Sequence, residues 1–174
     1  MKRKHTPYIF LFLLMVSCAG IKVNYDYDRE ADFSQYKTYN YFDDMDTGMS
    51  PLDTKRLIDV LNTAMQSKGF VLSEEPDFLI DIQSGMEESA NNSSVGVGMG
   101  GTGRSVGGGV SVGIPLGSRL VREIQFDFVD ASSKSLFWQA VSSNSYNENA
   151  SPEKREANFK NLVVKVLERY PPSR

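Results

Sequence analysis

Histidine and cysteine are nearly absent: the 174-residue chain has one of each. A single Cys excludes a disulfide within the chain, and together the two cannot assemble the ligand set of a zinc site. A basic surplus is also missing. The formal net charge of -3 argues against a protein held to nucleic acid through phosphate contacts. No apolar run is long enough to cross a bilayer. The longest, Tyr8 to Val16, spans YIFLFLLMV, about 14 Å as a helix against a hydrocarbon core of about 30 Å.

That short run instead belongs to a sorting signal. Lys2, Arg3 and Lys4 precede it, and Ser17-Cys18-Ala19-Gly20 closes it with small residues. Positive, apolar, then small is the order of a secretory signal peptide. Met15-Val16-Ser17-Cys18 resembles the bacterial lipobox, in which cleavage falls just before a diacylated Cys. Residues 1–17 are therefore expected to be a lipoprotein signal peptide and residues 18–20 a lipidated N-terminus. Cys18 is the expected lipidation site, carrying acyl chains such as palmitate, and more than one chain makes such an anchor durable. Ala19, rather than Asp, after the Cys favours the outer membrane of a Gram-negative bacterium, on its periplasmic face. Cleavage also removes His5, so the mature chain has no histidine. Ser-His-Asp and Cys-His chemistry is then unavailable.

Residues 21–172 read as one α+β domain. Ile21, Val23, Tyr25 and Tyr27 alternate with polar residues as a first strand, and Tyr36 to Phe42 is rich enough in β-formers for a second. Ser50-Pro51 with Asp53 marks a helix start, Leu57, Ile58, Leu61, Ala64 and Met65 form one stripe, and Gly69 marks its stop. Phe78, Ile80 and Ile82 alternate as the next strand. Residues 91–118 hold ten of the 14 glycines, no aromatic residue and one charge, Arg104. This stretch cannot supply a core and is expected to be a flexible, glycine-rich excursion. Leu120 to Phe128 and Leu136 to Tyr146 then form a hairpin around a polar turn. Ser151-Pro152-Glu153 opens a second helix with a stripe of Phe159, Leu162, Val163, Val166, Leu167 and Tyr170, ended by Pro171-Pro172. The expected fold is a mainly antiparallel β-sheet with two amphipathic helices packed on one face.

Four stretches carry a family resemblance. They are Asp32-Phe33-Ser34-Gln35-Tyr36-Lys37-Thr38-Tyr39; Lys68-Gly69-Phe70 with Pro76-Asp77-Phe78; Val129-Asp130-Ala131 with Leu136-Phe137-Trp138-Gln139-Ala140; and Tyr170-Pro171-Pro172. In this order they resemble the bacterial lipoproteins catalogued as domain of unknown function 4136. Tyr41 departs from the Trp that relatives often carry nearby. The resemblance implies an α+β envelope lipoprotein and brings no catalytic residues with it.

Other candidates for chemistry are weak. Gly96-Val97-Gly98-Met99-Gly100-Gly101 fits G-x-G-x-x-G, and Gly98 to Ser105 fits a phosphate loop with Arg104 in place of Lys. Neither has the preceding buried strand and following helix that would aim N–H groups at a phosphate. Asp26, Asp28 and Asp32, and Asp43, Asp44 and Asp46, are the clustered carboxylates, and they lack the Gly and Glu of an EF-hand loop. Trp138 and the tyrosines of residues 25–41 suit a core better than a ligand groove. The sequence thus points to a lipid-anchored, non-enzymatic binding or structural module with no cofactor, metal or catalytic residue. Its partners would be the membrane, through the acyl anchor, and an unidentified envelope protein or lipid, but no nucleic acid. The alternative is a carrier of a lipid or small apolar ligand, whose mark would be an enclosed apolar pocket.

Overall fold

The computed structural model describes residues 20–89, 94–95, 114–115 and 119–172. Cys18 and most of the glycine-rich stretch lie outside the described residues. The strands are β1 (Lys22–Tyr27), β2 (Thr38–Tyr41), β3 (Val71–Leu72), β4 (Phe78–Ser89), β5 (Ser94–Val95), β6 (Ile114–Pro115), β7 (Arg119–Asp130) and β8 (Leu136–Ser145). The helices are α1 (Pro51–Ser67) and α2 (Pro152–Val166).

Both helices start as their sequences dictate. The Ser50 hydroxyl accepts from the Asp53 N–H and the Ser151 hydroxyl from the Lys154 N–H, with proline in the first turn each time. Gly69 ends α1 at φ +92°, a conformation that a side chain would strain. Leu57, Leu61 and Met65 of α1 and Phe159, Leu162, Val163 and Val166 of α2 are buried. They cover the sheet face that carries Phe78, Ile80, Ile82, Ile124, Phe126, Phe128, Trp138 and Ala140. The expected α+β layering is what forms.

The sheet itself is mixed, and this corrects the expectation of a mainly antiparallel one. Its order is β1-β8-β7-β4-β2-β3. β1–β8, β8–β7 and β7–β4 pair antiparallel, whereas β2 pairs parallel with both β4 and β3. The physical reason is the connection: α1 lies between β2 and β4, and a helical crossover returns the chain in the same direction. β5 and β6 pair with each other as a separate two-stranded sheet.

One irregularity shapes the core. In β8 the register shifts so that Phe128 faces Trp138 while Val129 faces Leu136, leaving Phe137 as an extra residue. The bulge buries both Phe137 and Trp138. Phe137 stacks on Tyr36 with ring centres 4.0 Å apart, and Trp138 packs between Phe128 and Tyr170 at 4.6 and 5.0 Å.

Candidate functional site

Two groups of side chains stand out, at opposite ends of the sheet. The first lies where both helices begin. Asp53, in the first turn of α1, is 1% exposed, yet it is an ionisable group in a dry place. Its Oδ2 accepts from Arg155 Nη1 of α2 at 2.8 Å and from Arg122 Nη1 of β7 at 3.4 Å. Its Oδ1 accepts from Arg56 Nη1 at 2.9 Å. Arg122, 6% exposed, also lies over the Tyr146 ring with its Cζ 3.8 Å from the centroid. Its Nε has no hydrogen-bond partner among the described residues. A buried carboxylate with several guanidiniums satisfies the rule that buried charges be paired. The cluster ties α1, α2 and β7 together and encloses a volume of only about 30 Å³, room for one water.

The second group, at the far end, is open. A groove of about 520 Å³ is floored by Phe33, Tyr36 and Phe70 and rimmed by Lys37, Lys68 and Pro171. Lys68 Nζ donates to the Tyr170 carbonyl at 3.0 Å, fixing one rim. The Tyr36 hydroxyl donates to Asp130 Oδ2 at 3.0 Å. Burial, then that bond to a carboxylate, pushes the Tyr36 phenol up to about 12. Asp130 is held below the usual carboxylate range by the Ser133 N–H first, with the Tyr36 hydroxyl and Ser132 N–H adding to it against the opposing effect of burial. Asp77 is also lowered: burial raises it, but the Thr38 and Lys37 N–H groups, each 2.8 Å away, more than offset that. These carboxylates pin the loops that wall the groove. The groove can take an extended or flat group against its rings, with an ammonium at its edge.

All four stretches that carried the family resemblance meet here. Residues 32–34, 36–37 and 68–70 line the groove, Asp130 and Phe137 hold Tyr36 from behind, and Pro171 and Pro172 complete the wall. The clustered carboxylates do not converge. Asp26, in β1, and Asp28, Asp32 and Asp46, in their own turns, are exposed and accept from neighbouring backbone N–H groups. Among the described residues, no group of three His, Cys, Asp or Glu side chains is arranged to hold a metal ion. Trp138 is core, as its strand position suggested.

Sequence reasoning missed Arg122, Arg155 and the burial of Asp53. A signal existed for two of them. Arg122 continues the buried phase of Ile124, Phe126 and Phe128, and Asp53 stands one helical turn before Leu57 on the same stripe.

The fold and its ends define a small α+β domain with paired helices on one face of a mixed sheet. The chain belongs to the family described as domain of unknown function (DUF4136), whose sequence profile matches residues 23–172. It is similar in fold to a DUF4136 family protein from Bacteroides thetaiotaomicron, with a TM-score of 0.53 and 12% identity, over 87% of this chain and 96% of that one. It is also similar to a PDZ domain protein from Parabacteroides distasonis, with a TM-score of 0.55 and 12% identity over 88% of this chain. The chain spans 37% of that protein's length. At these identities the likeness is one of fold alone. No curated protein sequence matches the chain significantly.

Proposed function

We propose that the protein is a lipid-anchored, non-enzymatic binding or structural module on the periplasmic face of the outer membrane, using the aromatic groove as its contact surface. The observation that carries the reading is that three of the separated family-like stretches line one open groove while the fourth, through Asp130 and Phe137, holds its Tyr36 in place. The anchor is supported by the lipobox-like Met15-Val16-Ser17-Cys18 after a short apolar run. A chain cleaved before Cys18 has no histidine for proton transfer, which supports a role in binding. A carrier of a lipid or small apolar ligand is the alternative. It would need a chamber between sheet and helices, where Leu57, Leu61, Met65, Phe128, Trp138 and Tyr170 occupy the interior.

Two measurements test the reading. Cys18→Ser should abolish incorporation of a fatty-acid analogue and release the protein from membranes; persistent labelling would remove the anchor. A photocrosslinking residue at Lys37, on the groove rim, should give a discrete adduct in intact cells. The same residue at Asp59, on the outer face of α1, should not. Identical adducts from both positions, or none from Lys37, would overturn the groove as the contact surface.

A further inference from the structure

The N-terminus and the β4–β7 hairpin leave the sheet at the same end. Lys22 pairs with Ser143, Ser143 with Glu123, and Glu123 with Gly85, so these four form one row across the strands. Beyond that row β4 continues through Met86, Glu87 and Glu88 to Ser89, which pairs with Arg119. Gly20 and Ile21, the described residues before Lys22, lie on the same side of the row. The hairpin overshoots the row by four residues, about 13 Å at about 3.3 Å per residue. Cys18 also precedes Lys22 by four residues, a tether of at most about 14 Å. An anchor at Cys18 therefore holds this row within about 14 Å of a bilayer, close to the distance the hairpin itself reaches.

Both helices begin at this end, and two large apolar side chains stand exposed there. Met86 is 48% and Leu52 65% exposed. Met86 pairs across the strands with Arg122, and Leu52 adjoins Asp53, the partner of Arg122. The groove is at the other end, beside Asp130 and Tyr170.

We propose that in the anchored protein this end of the sheet is the bilayer-facing surface, with Met86 and the described part of the hairpin resting on lipid. The groove then points away from the membrane. The inference rests on acylation of Cys18. The described side chains here have no basic surplus: Glu87 and Glu88 are exposed alongside Lys22. Exposed apolar residues also occur at the groove end, Tyr27, Leu72 and Leu136 among them, so the tether, rather than apolar area or attraction to anionic lipid, sets the orientation, which is therefore insensitive to salt.

The test uses the full chain expressed with its own signal and reconstituted into phosphatidylethanolamine/phosphatidylglycerol vesicles that carry a headgroup nitroxide. Met86→Cys and Ser132→Cys are each labelled with bimane; an acylated Cys18 offers no competing thiol. Several-fold stronger quenching at position 86 than at 132, equal at low and high salt, is expected. Lys22→Cys, also strongly quenched, serves if Met86→Cys does not fold. Vesicle flotation separates the two ways to fail. Protein that does not float overturns the anchor and this orientation together. Protein that floats with equal quenching at both ends, or stronger quenching at 132, overturns the orientation alone, as does a label at 86 shielded by a second copy.

Discussion

Asp53 and Arg155 stand 102 positions apart in the chain and meet at 2.8 Å between Oδ2 and Nη1. The contact joins the first turns of α1 and α2, and Arg122 brings β7 to the same carboxylate. Removing one member of a buried pair leaves an uncompensated charge, which costs far more than the pair contributes net. Asp53→Asn should therefore destabilise the domain by about 3–5 kcal/mol. Asp59→Asn, which breaks the exposed pair with Lys55, should cost about 0.5 kcal/mol or less. Urea denaturation of both variants checks this. Similar costs would mean that the buried cluster is not a structural tie.

The Tyr36–Asp130 bond predicts opposite behaviour at the two ends of the pH scale. Asp130 and Asp77 titrate below their unfolded values, so they add stability above the ordinary carboxylate range and lose it as pH falls through their folded values. Tyr36 titrates at about 12, above its ordinary value of 10.0, so its contribution is complete below 10 and is lost as pH rises toward 12. Tyr36→Phe keeps the ring on Phe137 and deletes the bond. It should cost about 0.5–1.5 kcal/mol near neutral pH and flatten the alkaline loss. Denaturation midpoints measured from pH 3 to 11 read both effects; an unchanged alkaline slope would sink the assignment.

Much of the fold was legible in the sequence because burial leaves a period. The stripes of α1 and α2 and the alternation of β4 and β7 predicted which residues face the core. What escaped notice was of two kinds. β2 is a four-residue strand, too short for its direction to show in its own composition, although the β2–α1–β4 order holds the crossover that makes it parallel. Phe137 follows Leu136 and precedes Trp138 in an unbroken apolar run, so alternation could not reveal the bulge. The buried cluster around Asp53 was hidden for a different reason. Arg122 and Asp53 occupy buried phases but carry charge, and only the fold shows that they neutralise one another.

The two helices should contribute through their stripes and little else. Leu61 is fully buried and Leu162 is 1% exposed, whereas Lys55 projects from the solvent face of α1. Leu61→Ala or Leu162→Ala removes buried methyl groups and leaves a cavity, at about 2–5 kcal/mol each. Lys55→Ala should stay within about 0.5 kcal/mol. Thermal midpoints of the three variants distinguish the faces, and equal small shifts would show that the stripes do not carry the packing.

The last expectation concerns what the sheet can lose. β5 and β6 pair with each other and form no ladder with the six-stranded sheet. Residues 96–113, between them, contain no aromatic side chain and one charged residue, Arg104. The β4–β7 ladder runs unbroken from Phe78↔Asp130 to Ser89↔Arg119, so its register is set by strand pairing and the buried face below that connection. Joining the strands by a short Gly/Ser linker in place of residues 96–113 changes mainly the closure entropy of a loop. That entropy varies slowly with length, by about 0.6 kcal/mol per doubling. The shortened protein should keep its stability within about 1 kcal/mol, measured by urea unfolding, and its far-UV spectrum should retain the sheet and both helices. A larger loss would show that the replaced residues pack on the six-stranded sheet, and the domain would then be larger than its described core.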